Sequence, residues 1–278
     1  MLETVELSAG TIEYADTGDG PAVVFLHGAM KDATVWDQVV AQLPPSYRCI
    51  RPTMPLGSHR IPLRAEADLS VAGLARLTGE FLAALDLDQV VLVQNHWGAA
   101  QVMLAEGFAE RISKLVLCAC EAFDNYPPGA PGRAFVRMAK VPGALGAMGA
   151  ALRTPALARR YAEQDPTSLR PAPPELAARW LHPFATDAGV RRDLGKVLRD
   201  KYSRSEKQRW AAAVGSFAGP VLVVWATADT LMPRAHGARL AAAFPNARLV
   251  EITDSGTCVP LDQPAQLAAA ITDFLGSV

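Results

Sequence analysis

The chain has 278 residues, half of them apolar and one fifth charged, and its formal net charge is −1. This length and composition predict a globular α/β protein with a large core and exclude a disordered chain. Because the Lys and Arg residues are scattered and the net charge is close to zero, we expect no nucleic-acid partner.

The amino terminus and the cysteines indicate a reducing compartment. The first residues, MLETVELSAGTIEYADTG, alternate like two short strands and lack the basic start and apolar run of a signal peptide, so we expect a cytoplasmic protein. The four cysteines have no metal-ligand spacing, which predicts reduced thiols and no metal site. The longest apolar-rich stretch is broken by Pro142, several glycines and Arg153, and it predicts a helical cap rather than a membrane span.

Apolar runs alternate with amphipathic segments along most of the chain. The runs predict buried strands at residues 22–27, 47–52, 90–94, 114–120, 220–226 and 247–252. Between them lie segments with helical periodicity: VWDQVVAQL, LSVAGLARLTGEFLAALDL, AAQVMLAEGFAERI, ARLAAAFP and AQLAAAITDFL. We therefore predict an α/β fold with a doubly wound, mostly parallel sheet.

The alternation of strands and helices is interrupted between residues 125 and 216. This stretch begins with NYPPGAPGRAF, continues as irregular helical sequence, and gives way to a strand pattern again at Pro220. We predict a core of residues 1–124 and 217–278 and a helical lid of residues 125–216. The lid is expected over the carboxyl ends of the strands, where open α/β sheets bind ligands.

The segment QNHWGA joins a predicted strand to a predicted helix through a very short turn. The tip of this turn is His96. The exposed apex argues against a core histidine and favours a role in chemistry. A remnant that fills an inactive pocket is the alternative.

Three stretches together resemble the α/β-hydrolase superfamily. They are LHGAM at residues 26–30, QNHWGA at the place of the nucleophile elbow, and VVWATADTLMP, in which Asp229 follows a strand. The turn Asn-His-Trp-Gly is most similar to the branch with an aspartate nucleophile followed by Trp, that of the haloalkane dehalogenases and epoxide hydrolases. The resemblance implies an α/β-hydrolase fold and an oxyanion hole formed by the backbone N–H groups of Ala29 and Trp97.

The sequence departs from this family at two catalytic positions. His96 occupies the place of the nucleophilic carboxylate, and Thr257, after Gly256, occupies the place of the usual catalytic histidine. Gln94 also replaces the first glycine of the elbow. The same sequence would arise if histidine had replaced the nucleophilic aspartate of a parent protein.

The chemistry of imidazole limits what His96 can do. Attack on an alkyl halide or epoxide would leave an N-alkyl imidazolium, which has no carbonyl for water to attack and does not turn over. Attack on an activated ester gives an acyl-imidazole that hydrolyses, and a general base with a pKa near ~6.5 suits proton abstraction at neutral pH. We favour the general base, with Asp229 orienting His96 directly or through water; a helix cap near Pro233 is the alternative for Asp229.

Five further residues are expected to bind substrate: His59, Glu121, Trp180, His182 and Thr257. The first four have an alternative interpretation. Glu121 can form a loop salt bridge, His59 can lie on a surface loop, and Trp180 and His182 can pack the lid.

These features predict an enzyme that needs no cofactor and acts on a small, largely apolar carbonyl or epoxide compound. Hydrolysis, addition, elimination and cyclisation all stay open. A catalytically decayed binding protein or receptor for a small molecule is the alternative, and an interaction module ranks third. We expect no membrane partner, and the sequence is compatible with a homodimer.

Overall fold

The computed structural model describes residues 2–277, and within them one mostly parallel sheet flanked by helices forms the core. The strands are β1 (Leu2–Leu7), β2 (Gly10–Thr17), β3 (Ala22–Leu26), β4 (Arg48–Pro52), β5 (Val90–His96), β6 (Ile112–Cys120), β7 (Val221–Ala226) and β8 (Ala247–Ile252). Their order in the sheet is β1-β2-β4-β3-β5-β6-β7-β8. The β1–β2 and β2–β4 pairs are antiparallel and the others are parallel, which confirms the predicted fold class.

The central strands are buried because helices pack against the sheet. β3, β5, β6 and β7 are almost entirely buried, as expected for near-continuous apolar runs in a parallel sheet. Leu26 of β3 is in register with Gln94 of β5, and His96 of β5 pairs with Cys120 of β6. The residues that follow these three strands therefore meet at one edge of the sheet.

β8 is less buried than its apolar sequence predicts. We expected a buried strand at residues 247–252, but five of its six positions are exposed or half-buried. The reason is its place at the end of the sheet order, where β7 is its only neighbouring strand. An edge strand has one side open to solvent.

The described residues form helices α1 (Asp37–Val40), α2 (Val71–Ala84), α3 (Ala99–Glu106), α4 (Gly129–Ala139), α5 (Ala144–Leu152), α6 (Pro155–Glu163), α7 (Pro174–Thr186), α8 (Ala188–Arg199), α9 (Arg204–Ala213), α10 (Arg234–Ala243), α11 (Val259–Asp262) and α12 (Pro264–Gly276). Side-chain caps define several starts. Ser203 and Glu206 form a reciprocal capping box at α9. α3 ends where Gly107 adopts φ 78°. No helix in the described range has the length and apolarity needed to cross a bilayer.

Helices α4–α9 lie between β6 and β7 in the chain, and we call this segment the insertion. It has a hydrophobic cluster of its own that includes Leu145, Phe184 and Leu194, and Met30 from the core joins it. Polar contacts also connect the two parts. Arg179 and Trp180 of α7 both donate hydrogen bonds to the Asp32 carboxylate.

Candidate active site

His96 lies at the tip of a strained turn between β5 and α3. Its φ is 69°, in the left-handed region that side chains other than glycine rarely adopt. Glycines make room for it on both sides. A Cβ on Gly28 would lie 2.6 Å from the His96 Cβ, and one on Gly98 would lie 2.0 Å from the Tyr126 hydroxyl. The close packing around these glycines therefore holds His96 in its strained backbone conformation.

Buried amides hold the turn in place. The Asn95 side chain donates hydrogen bonds to the backbone oxygens of Cys118, at 3.0 Å, and Thr257, at 2.7 Å. Gln94, which replaces the first glycine of the family's elbow, accepts a hydrogen bond from the Ala100 N–H at 2.6 Å. It thus satisfies one of the free N–H groups in the first turn of α3.

A cavity of about 520 Å³ opens beside His96. Its floor includes Ala29, Lys31, Trp97 and Glu121 from the ends of the core strands. The insertion contributes mostly apolar walls, among them Pro128, Phe135, Val136, Met138, Met148, Val197 and Leu198. A mostly apolar cavity of this size with a few polar groups is typical of a small-molecule site.

The imidazole of His96 is neutral near pH 7. Burial and the charge of Lys31 lower the pKa of His96 to about 4, and Asp165 offsets this shift only in part. The ordinary histidine pKa expected from the sequence is therefore wrong for this environment. No described residue forms a hydrogen bond with the ring.

Asp229 makes no direct hydrogen bond with His96, which was one of the two predicted arrangements; a contact through water stays a prediction. One carboxylate oxygen, Oδ1, accepts hydrogen bonds from the Thr257 hydroxyl at 2.7 Å and from the N–H groups of Leu231 and Met232. Burial raises the pKa of Asp229 above its ordinary value. The Thr257 hydroxyl thus binds the Asp229 carboxylate where a catalytic histidine would bind it, and the short threonine side chain does not extend beyond this contact.

The two expected oxyanion donors differ. Ala29 lines the cavity, and its N–H makes no hydrogen bond with the described residues. The Trp97 N–H instead donates to the Asn95 oxygen at 2.9 Å, because the φ of His96 folds the turn back on itself. The convergence of both backbone groups on one oxyanion stays a prediction. The Trp97 indole nitrogen, Nε1, is buried without a hydrogen-bond partner among the described residues.

Four predicted substrate-binding residues do not line this cavity. His59 contacts the Asp193 carboxylate of α8 at 3.2 Å, and the Trp180 indole donates to Asp32 at 3.1 Å. His182 is exposed and faces a separate groove formed by the insertion. His59 and Trp180 connect the core to the insertion, while Thr257 holds Asp229.

Glu121 does line the cavity. It directly follows β6, and its backbone N–H donates to the His96 oxygen at 2.9 Å. Burial raises the pKa of Glu121 to about 8, although the nearby Gly98 N–H acts in the opposite direction. The loop salt bridge considered for Glu121 is not formed.

Sequence reasoning missed an ion pair in the cavity wall. The Lys31 amine lies 2.5 Å from the Asp165 carboxylate and 5.0 Å from the centre of the Trp180 ring. The signal for Lys31 was its place two residues after Ala29, at the end of β3. Asp165 lies in an irregular loop of the insertion, and no sequence pattern points to it.

Comparison with known proteins identifies the family of this chain. A family model described as the alpha/beta hydrolase family matches residues 23–270. The chain belongs to the alpha/beta hydrolase family. Haloalkane dehalogenase 2 of Mycobacterium tuberculosis (strain ATCC 25618 / H37Rv) is 26% identical over 275 residues, covering 97% of this chain and 93% of that protein. An uncharacterized protein of the same strain is 26% identical over 280 residues, covering 93% and 76% of the two chains.

Solved structures show the same fold. A haloalkane dehalogenase from Bradyrhizobium elkani superposes with a TM-score of 0.79 at 18% identity, covering 99% of this chain and 97% of that chain. A thermophilic esterase from Thermogutta terrifontis has a TM-score of 0.70 at 20% identity, covering 99% and 98%. The resemblance to the superfamily, near the haloalkane dehalogenases, is confirmed.

Proposed function

We propose that this family member is a hydrolase of small, largely apolar carboxylic esters that needs no cofactor, with His96 as the general base. The observation that carries the proposal is the place of His96 at the strained turn, with an unpaired, neutral ring beside an apolar cavity of about 520 Å³. The insertion acts as the lid that covers this cavity.

Water is the nucleophile in this proposal. Its oxygen attacks the acyl carbon while one of its protons passes to a ring nitrogen of His96. The Ala29 N–H, which makes no hydrogen bond with the described residues, is the donor available to the developing oxyanion. A base with a pKa of about 4 is weak, so we expect slow turnover.

Imidazole chemistry argues against transfer of the activity named in the dehalogenase relatives. Their name refers to haloalkanes, whose carbon bears a halogen and no carbonyl. His96 would form a stable N-alkyl product with such a substrate and stop after one turnover. An ester avoids this trap, because either water attack or an acyl-imidazole leads to product.

Hydrolysis of p-nitrophenyl butyrate by the intact chain and by His96→Ala tests the proposal. We expect His96→Ala to lower kcat/KM by about 100-fold or more, the usual contribution of a general base. His182→Ala is the matched control, because His182 is exposed and lies outside the cavity. Unchanged turnover in His96→Ala would refute the proposed function.

The pH profile of the same reaction reports the protonation state of His96. The rate should be level near neutral pH and should fall as the pH drops through about 4, because protonation removes the lone pair. A midpoint near the ordinary histidine value would contradict the buried, neutral ring.

Mass spectrometry of the quenched reaction separates the two roles of His96. An acyl adduct on His96 identifies a nucleophile, and the absence of an adduct during turnover identifies a base.

A binding protein without catalysis is the second candidate. Two observations favour it: Asp229 is bound to Thr257, and the Trp97 N–H is used within the turn. Such a protein would bind a small apolar ester, measured by calorimetry, and would release it unchanged.

A further inference from the structure

Glu121 is a buried carboxyl group that the reaction described above leaves unused. It follows β6 directly, is 9% exposed, and lines the same cavity as His96. The Glu121 N–H donates to the His96 oxygen at 2.9 Å, so the backbones of the two residues are joined. Both side chains therefore belong to one wall of the cavity.

We propose that Glu121 is a second catalytic residue, which donates its carboxyl proton to the leaving oxygen of the substrate while His96 removes a proton from water. This inference rests on the proposed ester hydrolase function. It assigns opposite tasks to two side chains at neighbouring strand ends. No described side chain hydrogen-bonds the Glu121 carboxyl, so its proton is available to a ligand.

The surroundings keep Glu121 protonated near pH 7. Burial raises its pKa to about 8. The titratable groups nearest to it are Cys120, Tyr126 and Tyr202, and burial raises the pKa of each, so all three are neutral. The Tyr126 hydroxyl donates to the backbone oxygen of Glu121 at 3.2 Å and not to the carboxyl.

The charged groups in the neighbourhood, Lys31 and Asp200, already have partners. Lys31 is held by Asp165 at 2.5 Å, so its charge is not available to form an ion pair with Glu121. Asp200 accepts a hydrogen bond from the Val71 N–H and acts on Tyr202. A neutral base and a neutral acid in one cavity, with pKa values displaced in opposite directions, are the usual arrangement of an acid–base pair.

The reaction balances with these two groups. Water forms a bond to the acyl carbon and gives one proton to His96, the acyl–oxygen bond breaks, and the leaving oxygen takes the proton of Glu121. The products are a carboxylic acid and an alcohol. The proton on His96 then returns to the Glu121 carboxylate through solvent, which restores both neutral groups.

Two esters with the same acyl group provide the test. Ethyl butyrate has a basic leaving oxygen that needs a proton, whereas p-nitrophenyl butyrate releases a stable phenolate. We expect Glu121→Gln to lower the ratio of kcat for the ethyl ester to kcat for the p-nitrophenyl ester by about 100-fold. Glu110→Gln, an exposed glutamate near the start of β6, is the matched control and should leave the ratio unchanged.

The pH dependence adds a second readout. Hydrolysis of ethyl butyrate by the unaltered chain should decline as the pH rises through about 8, and Glu121→Gln should lack this decline. Glu121→Asp, which keeps a carboxyl group, should retain the decline.

Infrared difference spectra should show a protonated carboxyl at pH 7 that is absent from Glu121→Gln and disappears as the pH rises through about 8. An ionised Glu121 at pH 7, or an unchanged ratio of the two kcat values, would overturn the inference.

The two proposals fail in different ways. If His96→Ala abolishes p-nitrophenyl butyrate hydrolysis but Glu121→Gln leaves the ratio intact, only the role of Glu121 is wrong. If His96→Ala changes nothing, the hydrolase proposal fails, and the inference built on it fails as well.

Discussion

At the scale of single residues, the chemistry of the site depends on the hydrogen-bond partner of each polar atom. The sequence was sufficient to place His96, Ala29, Trp97 and Glu121 at the cavity, because each follows a strand that ends at the same edge of the sheet. Their hydrogen bonds were not predictable. They depend on the φ of His96, which turns the Trp97 N–H toward Asn95.

Glu121 should make the stability of the chain depend on pH. Its pKa is about 8 in the folded chain against 4.5 in its ordinary state, so folding takes up a proton between these values. The free energy of unfolding should therefore decrease as the pH rises from about 4.5 to about 8. Glu121→Gln removes this loss. In urea unfolding, the free energy of unfolding of Glu121→Gln relative to that of the unaltered chain should therefore increase across this pH range, by an amount on the order of a few kcal/mol. A pH-independent difference would contradict the buried, protonated carboxyl.

At the scale of elements, the order of strands and helices was readable because apolar runs and amphipathic segments alternate. The exposure of β8 was not readable, because a strand's neighbours depend on the order of the sheet and not on local pattern. The insertion was recognised by the loss of alternation, but only some of its helices begin at a capping side chain, as α8 does at Asp187 and α9 at Ser203. α4, for example, begins after Pro128 without a side-chain cap.

The turn between β5 and α3 should tolerate no side chain at Gly98. A Cβ there would lie 2.0 Å from the Tyr126 hydroxyl and 2.6 Å from the Glu121 backbone oxygen. We expect Gly98→Ala to lower the free energy of unfolding by about 1 to 3 kcal/mol, as overpacking does. Gly146→Ala in α5 is the matched control: its Cβ meets nothing within 4 Å, and alanine favours a helix by roughly 0.5 to 1 kcal/mol. Equal effects in thermal unfolding would contradict the tight packing at the turn.

At the scale of the whole molecule, the core and the insertion share buried polar contacts around the cavity. Lys31 pairs with Asp165, Asp32 binds Arg179, and His59 contacts Asp193. Such partners lie 134 or more residues apart in the chain. Sequence reasoning missed all three pairs because no local pattern connects residues so distant.

The Lys31–Asp165 pair should couple stability to catalysis. Lys31→Met leaves a half-buried carboxylate without its cation and should cost about 3 kcal/mol of unfolding free energy. The double variant Lys31→Met/Asp165→Asn should be more stable than Lys31→Met, because no unpaired charge remains. Loss of the Lys31 charge should also raise the pKa of His96 and move the acid limb of p-nitrophenyl butyrate hydrolysis to higher pH. Strictly additive stability changes, with an unmoved acid limb, would show that the pair is independent of the site.

The absence of a hydrogen-bond partner for His96 among the described residues has a consequence for its tautomer. A partner on one ring nitrogen normally selects a single tautomer of a neutral imidazole. Without one, neither Nδ1 nor Nε2 is assigned the proton by the protein. The tautomer of His96 is therefore selected by the substrate that enters the cavity.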